Sequence, residues 1–243
     1  MSDDEDSEKL KEVKVVLLGE SGVGKSSIIK QYVTKTFDPD IDSSISSKYI
    51  SKEITVPDIE KKIKFNLWDT AGQEKYRSLA KIFYKDANII VFVYSIENLK
   101  SFEGLKSYWY EEVKANSLSN VLFAVVGNKN DLYNISQVDN KQAIEWADSI
   151  NGIFQLTSAK INVGIDLLFE NLGKKIFNPD FDYKKDEEEA KKIYEQKKKE
   201  KEAKKINYED KEDDDVKIPE VKSIKLDNKE IAANDNKKRK GCC

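Results

Sequence analysis

With 243 residues and a formal net charge of −3, the chain has room for one ordinary domain plus a tail, or for two small domains. It contains no histidine, which excludes His-ligated metals and His general bases; both cysteines are the last two residues, which excludes a disulfide framework and a core thiol nucleophile. Basic and acidic side chains, 42 and 45, are mixed throughout, so nothing in the charge pattern points to nucleic acid.

Residues 1–10 form an acidic, polar lead, expected to be disordered and unlike a secretory signal. Residues 13–18 are apolar and read as a strand that delivers Gly19-Glu20-Ser21-Gly22-Val23-Gly24-Lys25-Ser26, a P-loop pattern. The glycines let backbone N–H groups of residues 20–24 face phosphate oxygens, and the helix expected over 26–34, with Ser27 in its first turn, points its positive end at the same anion. Lys25 reaches the β- and γ-phosphates and the Ser26 hydroxyl can ligate Mg²⁺. These residues bind a nucleoside triphosphate.

Further strands are expected over 48–56 and 63–68, joined by the hairpin-length Pro57-Asp58-Ile59-Glu60, and then over 89–94, 121–128 and 154–157. Helices are expected over 76–84, 99–114, 137–150 and 163–177. The alternation predicts an α/β fold: about six strands, mostly parallel, one antiparallel at the edge, with helices on both faces. The apolar runs at 89–94 and 121–126 are too short to span a bilayer. The strand at 121–128 ends in Gly127-Asn128-Lys129-Asn130-Asp131, where open α/β sheets bind ligands. Asp131 can accept from the guanine N1–H and exocyclic amine. Adenine lacks that donor pair and would leave a buried carboxylate unsatisfied, at about 1–3 kcal/mol.

Trp68-Asp69-Thr70-Ala71-Gly72-Gln73-Glu74 and Thr157-Ser158-Ala159-Lys160 complete a set of four ordered motifs. Over roughly residues 11–178 the chain resembles the Ras superfamily of small GTPases, and within it the Rab family. The run Tyr76-Arg77-Ser78-Leu79-Ala80 resembles its endosomal subgroup. The resemblance implies a Ras-like P-loop fold, slow GTP hydrolysis to GDP, and recruitment of effectors in vesicle and endosomal trafficking. It assigns Asp69 to Mg²⁺ through water, the Gly72 N–H to the γ-phosphate, and Gln73 to the attacking water. Ser158, Ala159 and Lys160 fall to the guanine, and Phe37 packs on it. Switch I departs from the family pattern: Ser44 stands where Thr is usual, keeping the Mg²⁺-ligating hydroxyl but not the methyl, and Ser46 stands for Gly. Tyr49, Trp68 and Phe83 match the aromatic cluster that displays the switch state, with Tyr49 in place of Phe.

Residues 11–179 are read as the GTPase domain and 180–240 as a charged tail. Residues 182–209 are nearly all Lys, Glu, Asp and Ala, read as a solvated linker with some i,i+4 Glu–Lys support for helix. Gly241-Cys242-Cys243, after Lys237-Lys238-Arg239-Lys240, matches the family's double geranylgeranylation site, implying a lipid anchor on the cytoplasmic face of an intracellular membrane. By the same resemblance the partners are an exchange factor, an activating protein, effectors, Rab escort protein and GDP-dissociation inhibitor, with a monomeric GTPase domain. A P-loop ATPase or kinase is the competing enzyme reading, opposed by Asn128, Lys129 and Asp131. A weakly cycling GTP-binding scaffold whose tail does the binding is the competing non-enzyme reading.

Overall fold

The second half of β1 (Lys11–Leu18) is continuously buried, because helices cover both faces of the sheet at this strand. The computed structural model describes residues 10–39, 48–70, 83–116 and 120–185. β1 lies within a six-stranded sheet of order β2-β3-β1-β4-β5-β6. Its other strands are β2 (Lys48–Val56), β3 (Lys61–Asp69), β4 (Ile89–Ser95), β5 (Leu122–Asn128) and β6 (Ile153–Leu156). β2 and β3 pair antiparallel, Val56 opposite Lys61, across the expected turn. The remaining neighbours pair in parallel. Strand order reverses beside β1, which has β3 on one side and β4 on the other. That is the position where a crevice opens at the carboxyl ends of the strands.

α1 (Lys25–Thr34) and α5 (Ile165–Phe177) cover one face, packing Ile28, Tyr32, Phe169 and Leu172 against Val15, Leu17, Phe65 and Val91. Tyr32 and Phe169 stack with ring centroids 3.7 Å apart, tying the two helices together. The other face carries α2 (Leu99–Gly104), a π-helical turn (Leu105–Trp109), α3 (Tyr110–Asn116) and α4 (Asn140–Ser149). Here Phe102, Leu105, Trp109 and Ala147 pack on Val16, Leu18 and Phe92.

Strand ends shift by one or two residues from the sequence expectation, and four differences have a local description. The single helix expected over 99–114 is broken by the π-helical turn and runs on to Asn116. α4 starts later than residue 137, because the Asp139 carboxylate caps it by accepting from the Lys141 N–H at 3.0 Å. α5 starts after Gly164, because Val163 is held in a backbone bridge with Ser158. β6 ends at Leu156 rather than residue 157. Of the helix expected over 76–84, Phe83 and Tyr84 are helical and the rest lies outside the described residues.

Beyond α5 the chain stays packed to Lys185. The Lys175 ammonium donates to the Phe181 carbonyl at 2.8 Å, Tyr183 rests on both core clusters, and Lys184 pairs with Asp148 at 2.6 Å. Among the described residues no helix is long and apolar enough to cross a membrane.

Candidate functional site

The parallel strands place five loops along one edge of the sheet. β1 delivers the loop 19–24, β3 ends at Asp69, β4 leads into Glu97, β5 ends at Asn128, and β6 leads to Thr157–Lys160. Between them lies a cleft of about 350 Å³. Ser21, Gly22, Gly24, Lys25, Ser26 and Ser27 form its floor, with Asn128, Lys129, Asp131, Ala159 and Lys160 on one wall and Phe37 at the rim. Phe37 is 39% exposed, so it is a rim residue rather than a core one.

The floor is built by backbone geometry that side chains would block. Gly24 has φ +98°, and a Cβ there would come within 2.3 Å of the Asn128 amide nitrogen. Gly19 would drive a Cβ to 2.1 Å from the Val93 carbonyl oxygen. α1 begins at once after Gly24, so its unpaired N–H groups and positive end point into the cleft.

Lys25 is 5% exposed, and its ammonium donates to the Gly19 and Glu20 carbonyls, both at 2.9 Å. Burial pushes its pKa down to about 8, opposed by the negative charges of Asp69 and Glu20. Asp69 itself is 3% exposed at the end of β3. The next residue, Thr70, donates its hydroxyl to the Leu17 carbonyl at 2.6 Å and so pins this loop to β1.

Asn128 ties the floor to the wall. Its amide nitrogen donates to the Val23 carbonyl at 2.8 Å, and its amide oxygen accepts from the Thr157 hydroxyl at 3.1 Å and the Ala159 N–H at 3.4 Å. Asp131 accepts from the Ser158 hydroxyl at 2.5 Å, and Ser158 is fully buried. Its carboxylate keeps acceptor capacity for two further donors, since an ionised carboxylate offers about four lone-pair positions. Lys129 takes a left-handed backbone at φ 65° and pairs with Glu97 at 2.7 Å.

Of the residues expected from sequence, Glu20, Val23, Asp69 and Ser158 are not on the cleft wall. Each also supports a residue that is: the carbonyls of Glu20 and Val23 accept from Lys25 and Asn128, Ser158 donates to Asp131, and Asp69 offsets the desolvation of Lys25. Ser44, Gly72, Gln73, Cys242 and Cys243 lie outside the described residues. Thr70, Leu132, Asp38 and Pro39 also line the cleft, though the sequence motifs assign them no role. Thr70 was within reach, being adjacent to Asp69 in the Asp-Thr-Ala-Gly string; Leu132 carries no motif signal.

The donor set suits a hard cation. Among the described residues no cluster of His, Cys, Asp and Glu could cage a metal by itself. Mg²⁺ accepts sparse oxygen ligation when phosphates and waters fill its other positions, and the candidate oxygen donors here are the Ser26 hydroxyl in the cleft and the Asp69 carboxylate at the end of β3. Away from the cleft, Tyr49 and Trp68 lie 5.2 Å apart and Trp68 and Phe83 5.9 Å apart, a chain of rings across β2 and β3 with Tyr49 51% exposed.

The model of the Ras family matches residues 14–178. The chain is 40% identical over 171 residues to Ras-related protein Rab-22A of Homo sapiens, covering 70% of this chain and 87% of that protein. It is 42% identical over 167 residues to Ras-related protein Rab-31 of Mus musculus, covering 69% and 84%. To Ras-related protein RabJ of Dictyostelium discoideum it is 38% identical over 186 residues, covering 76% and 72%.

Proposed function

This chain belongs to the Rab branch of the Ras family of small GTPases, and on that premise we propose that it is a membrane-anchored switch of vesicle and endosomal trafficking. As a member of that family it binds GTP and GDP and hydrolyses GTP. The observation that carries the guanine-nucleotide part of this reading is the convergence of a phosphate cradle and a Ser158-supported Asp131 carboxylate in one cleft; the anchor rests on Gly241-Cys242-Cys243.

In this reading the triphosphate lies on the amides of residues 20–24 at the start of α1. Lys25, held between two carbonyls, presents its charge to the β- and γ-oxygens without having to be ordered on binding. Asp131 reads the guanine edge, Ala159 lines the cleft beside the base, and Phe37 at the rim closes over it. Ser26, Asp69 and Ser44 would hold Mg²⁺, which when bound neutralises phosphate charge. Gly72 and Gln73 orient the γ-phosphate and the attacking water. The GTP-bound form then recruits effectors through the switch segments and the Tyr49–Trp68–Phe83 rings. An exchange factor, an activating protein, an escort protein and a GDP-dissociation inhibitor act on the cycle. Prenyl chains on Cys242 and Cys243 attach the protein to the cytoplasmic face of an endosomal or other vesicular membrane, with the charged residues after Lys185 as tether.

The base assignment is tested by nucleotide competition. Wild-type protein should prefer GTP and GDP over ATP by orders of magnitude, and Asp131→Asn should move the preference to xanthine nucleotides. Equal affinity of the wild type for ATP and GTP overturns the reading.

A further inference from the structure

Of the cations on the cleft walls, Lys129 is the one held by a partner outside the four motifs. Its ammonium donates to Glu97 Oε1 at 2.7 Å, with the two side chains 34% and 29% exposed. The same carboxylate oxygen accepts from the Ser95 hydroxyl at 3.3 Å. Glu97 stands on a loop that has little freedom. The Ile96 N–H donates to the Asn128 carbonyl at 3.1 Å, and the Ile96 carbonyl accepts from the Gln137 N–H at 2.8 Å. The Asn98 N–H donates to the Ser95 carbonyl at 3.0 Å, and the Asn98 side chain caps α2 by accepting from Ser101. The Lys129 backbone is fixed too, its carbonyl accepting from the Leu132 N–H at 2.8 Å. What remains free to move is the four-carbon arm of Lys129, and Glu97 holds its far end.

We propose that Glu97 is a positioning residue of the nucleotide site, which holds the Lys129 arm along the cleft wall before the nucleotide arrives and so slows nucleotide loss. The inference rests on the reading of Lys129 as a nucleotide contact. A lysine arm that must be ordered at binding loses most of its rotamer freedom at that moment; an arm already held loses little. The pair is half-buried, so screening is incomplete and the attraction stays local. Because the Glu97 charge also satisfies the ammonium, the flat methylene stem of Lys129 is the part presented to a base, while Lys25 carries the phosphate charge.

The test uses the full chain loaded with a fluorescent GDP analogue and chased with excess GDP at fixed Mg²⁺. Glu97→Ala should speed dissociation by up to about fivefold, the upper end of the range of an ion pair of this exposure converted to a rate ratio. Glu97→Gln, which keeps the shape and an acceptor but not the charge, should speed it less and covers the case in which the alanine variant does not fold. Lys129→Ala should speed dissociation as well, and adding Glu97→Ala to it should change nothing further. Dissociation from both Glu97 variants as slow as wild type, or slower, overturns the proposal. So does a Glu97→Ala effect that persists undiminished in the Lys129→Ala background, since that is a loop-folding role. If Lys129→Ala itself leaves dissociation unchanged, Lys129 is no nucleotide contact, and the underlying reading fails with the proposal.

Discussion

Replacing Asn128 by alanine removes a side chain that is 1% exposed and makes three hydrogen bonds between two loops. Left behind are the Val23 carbonyl, the Thr157 hydroxyl and the Ala159 N–H, with Thr157 fully buried and Ala159 3% exposed. Each group orphaned in a dry site costs about 1–3 kcal/mol, but the cavity adjoins the cleft and water can satisfy some of them. A loss of about 3 kcal/mol follows, which for a domain of this size lowers the melting temperature by roughly 6–12 °C. Because those three bonds all go to the neighbouring loops, affinities for GTP and xanthosine triphosphate should fall together and their ratio stay fixed. The assay is thermal melting of the GDP-loaded chain beside a competition titration with both nucleotides. An Asn128→Ala protein with unchanged melting and an altered base ratio refutes the reasoning, and would place Asn128 against the base.

Lys25 makes affinity depend on pH. Its pKa in the fold is about 8, below the ordinary 10.5, so between those values the unfolded chain binds more protons and nucleotide-free stability rises with pH. Phosphate favours the charged amine, so above pH 8 binding takes up a proton and GDP affinity should fall by up to about tenfold per pH unit. Lys25→Arg, which stays charged, lacks this component, and a titration of both proteins from pH 7 to 9.5 separates it from ionisation of the nucleotide. Changing Cys242 and Cys243 to Ser should leave nucleotide binding intact and move the protein wholly to the soluble fraction of a cell lysate; a double-Ser variant that still pellets with membranes contradicts the anchor.

Much of the site was legible because its elements are contiguous. Gly19 to Ser26 carries strand end, turn and helix start in one string, and the apolar run before Asn128 announces a buried strand with a loop at its carboxyl end. The antiparallel edge followed from a four-residue connection at 57–60, too short for a crossover. What stayed hidden depends on partners distant in sequence. Asn128 sits in a base-recognition string, and its amide also spans 105 positions to Val23, which the string does not show. Glu97 belongs to no motif, and its meaning comes from lying beside Lys129, 32 positions away. The π-helical turn at Leu105–Trp109 has no marker in local propensity, and Tyr183 shows no helical stripe yet finds the core. Local spacing fixes which backbone groups face a ligand; the supporting contacts are set by topology.

This cleft is expected to turn GTP over slowly as a switch rather than to hold it inertly. The direct measurement is phosphate release from the full chain loaded with GTP and Mg²⁺ in a single turnover, beside Gln73→Leu. No arginine on the described cleft wall is placed to stabilise the transferring phosphoryl group. Wild-type release should therefore run on the order of 10⁻⁴ to 10⁻³ s⁻¹, and Gln73→Leu should be slower. Release from Gln73→Leu as fast as from wild type, or no release from wild type over many hours, contradicts the account.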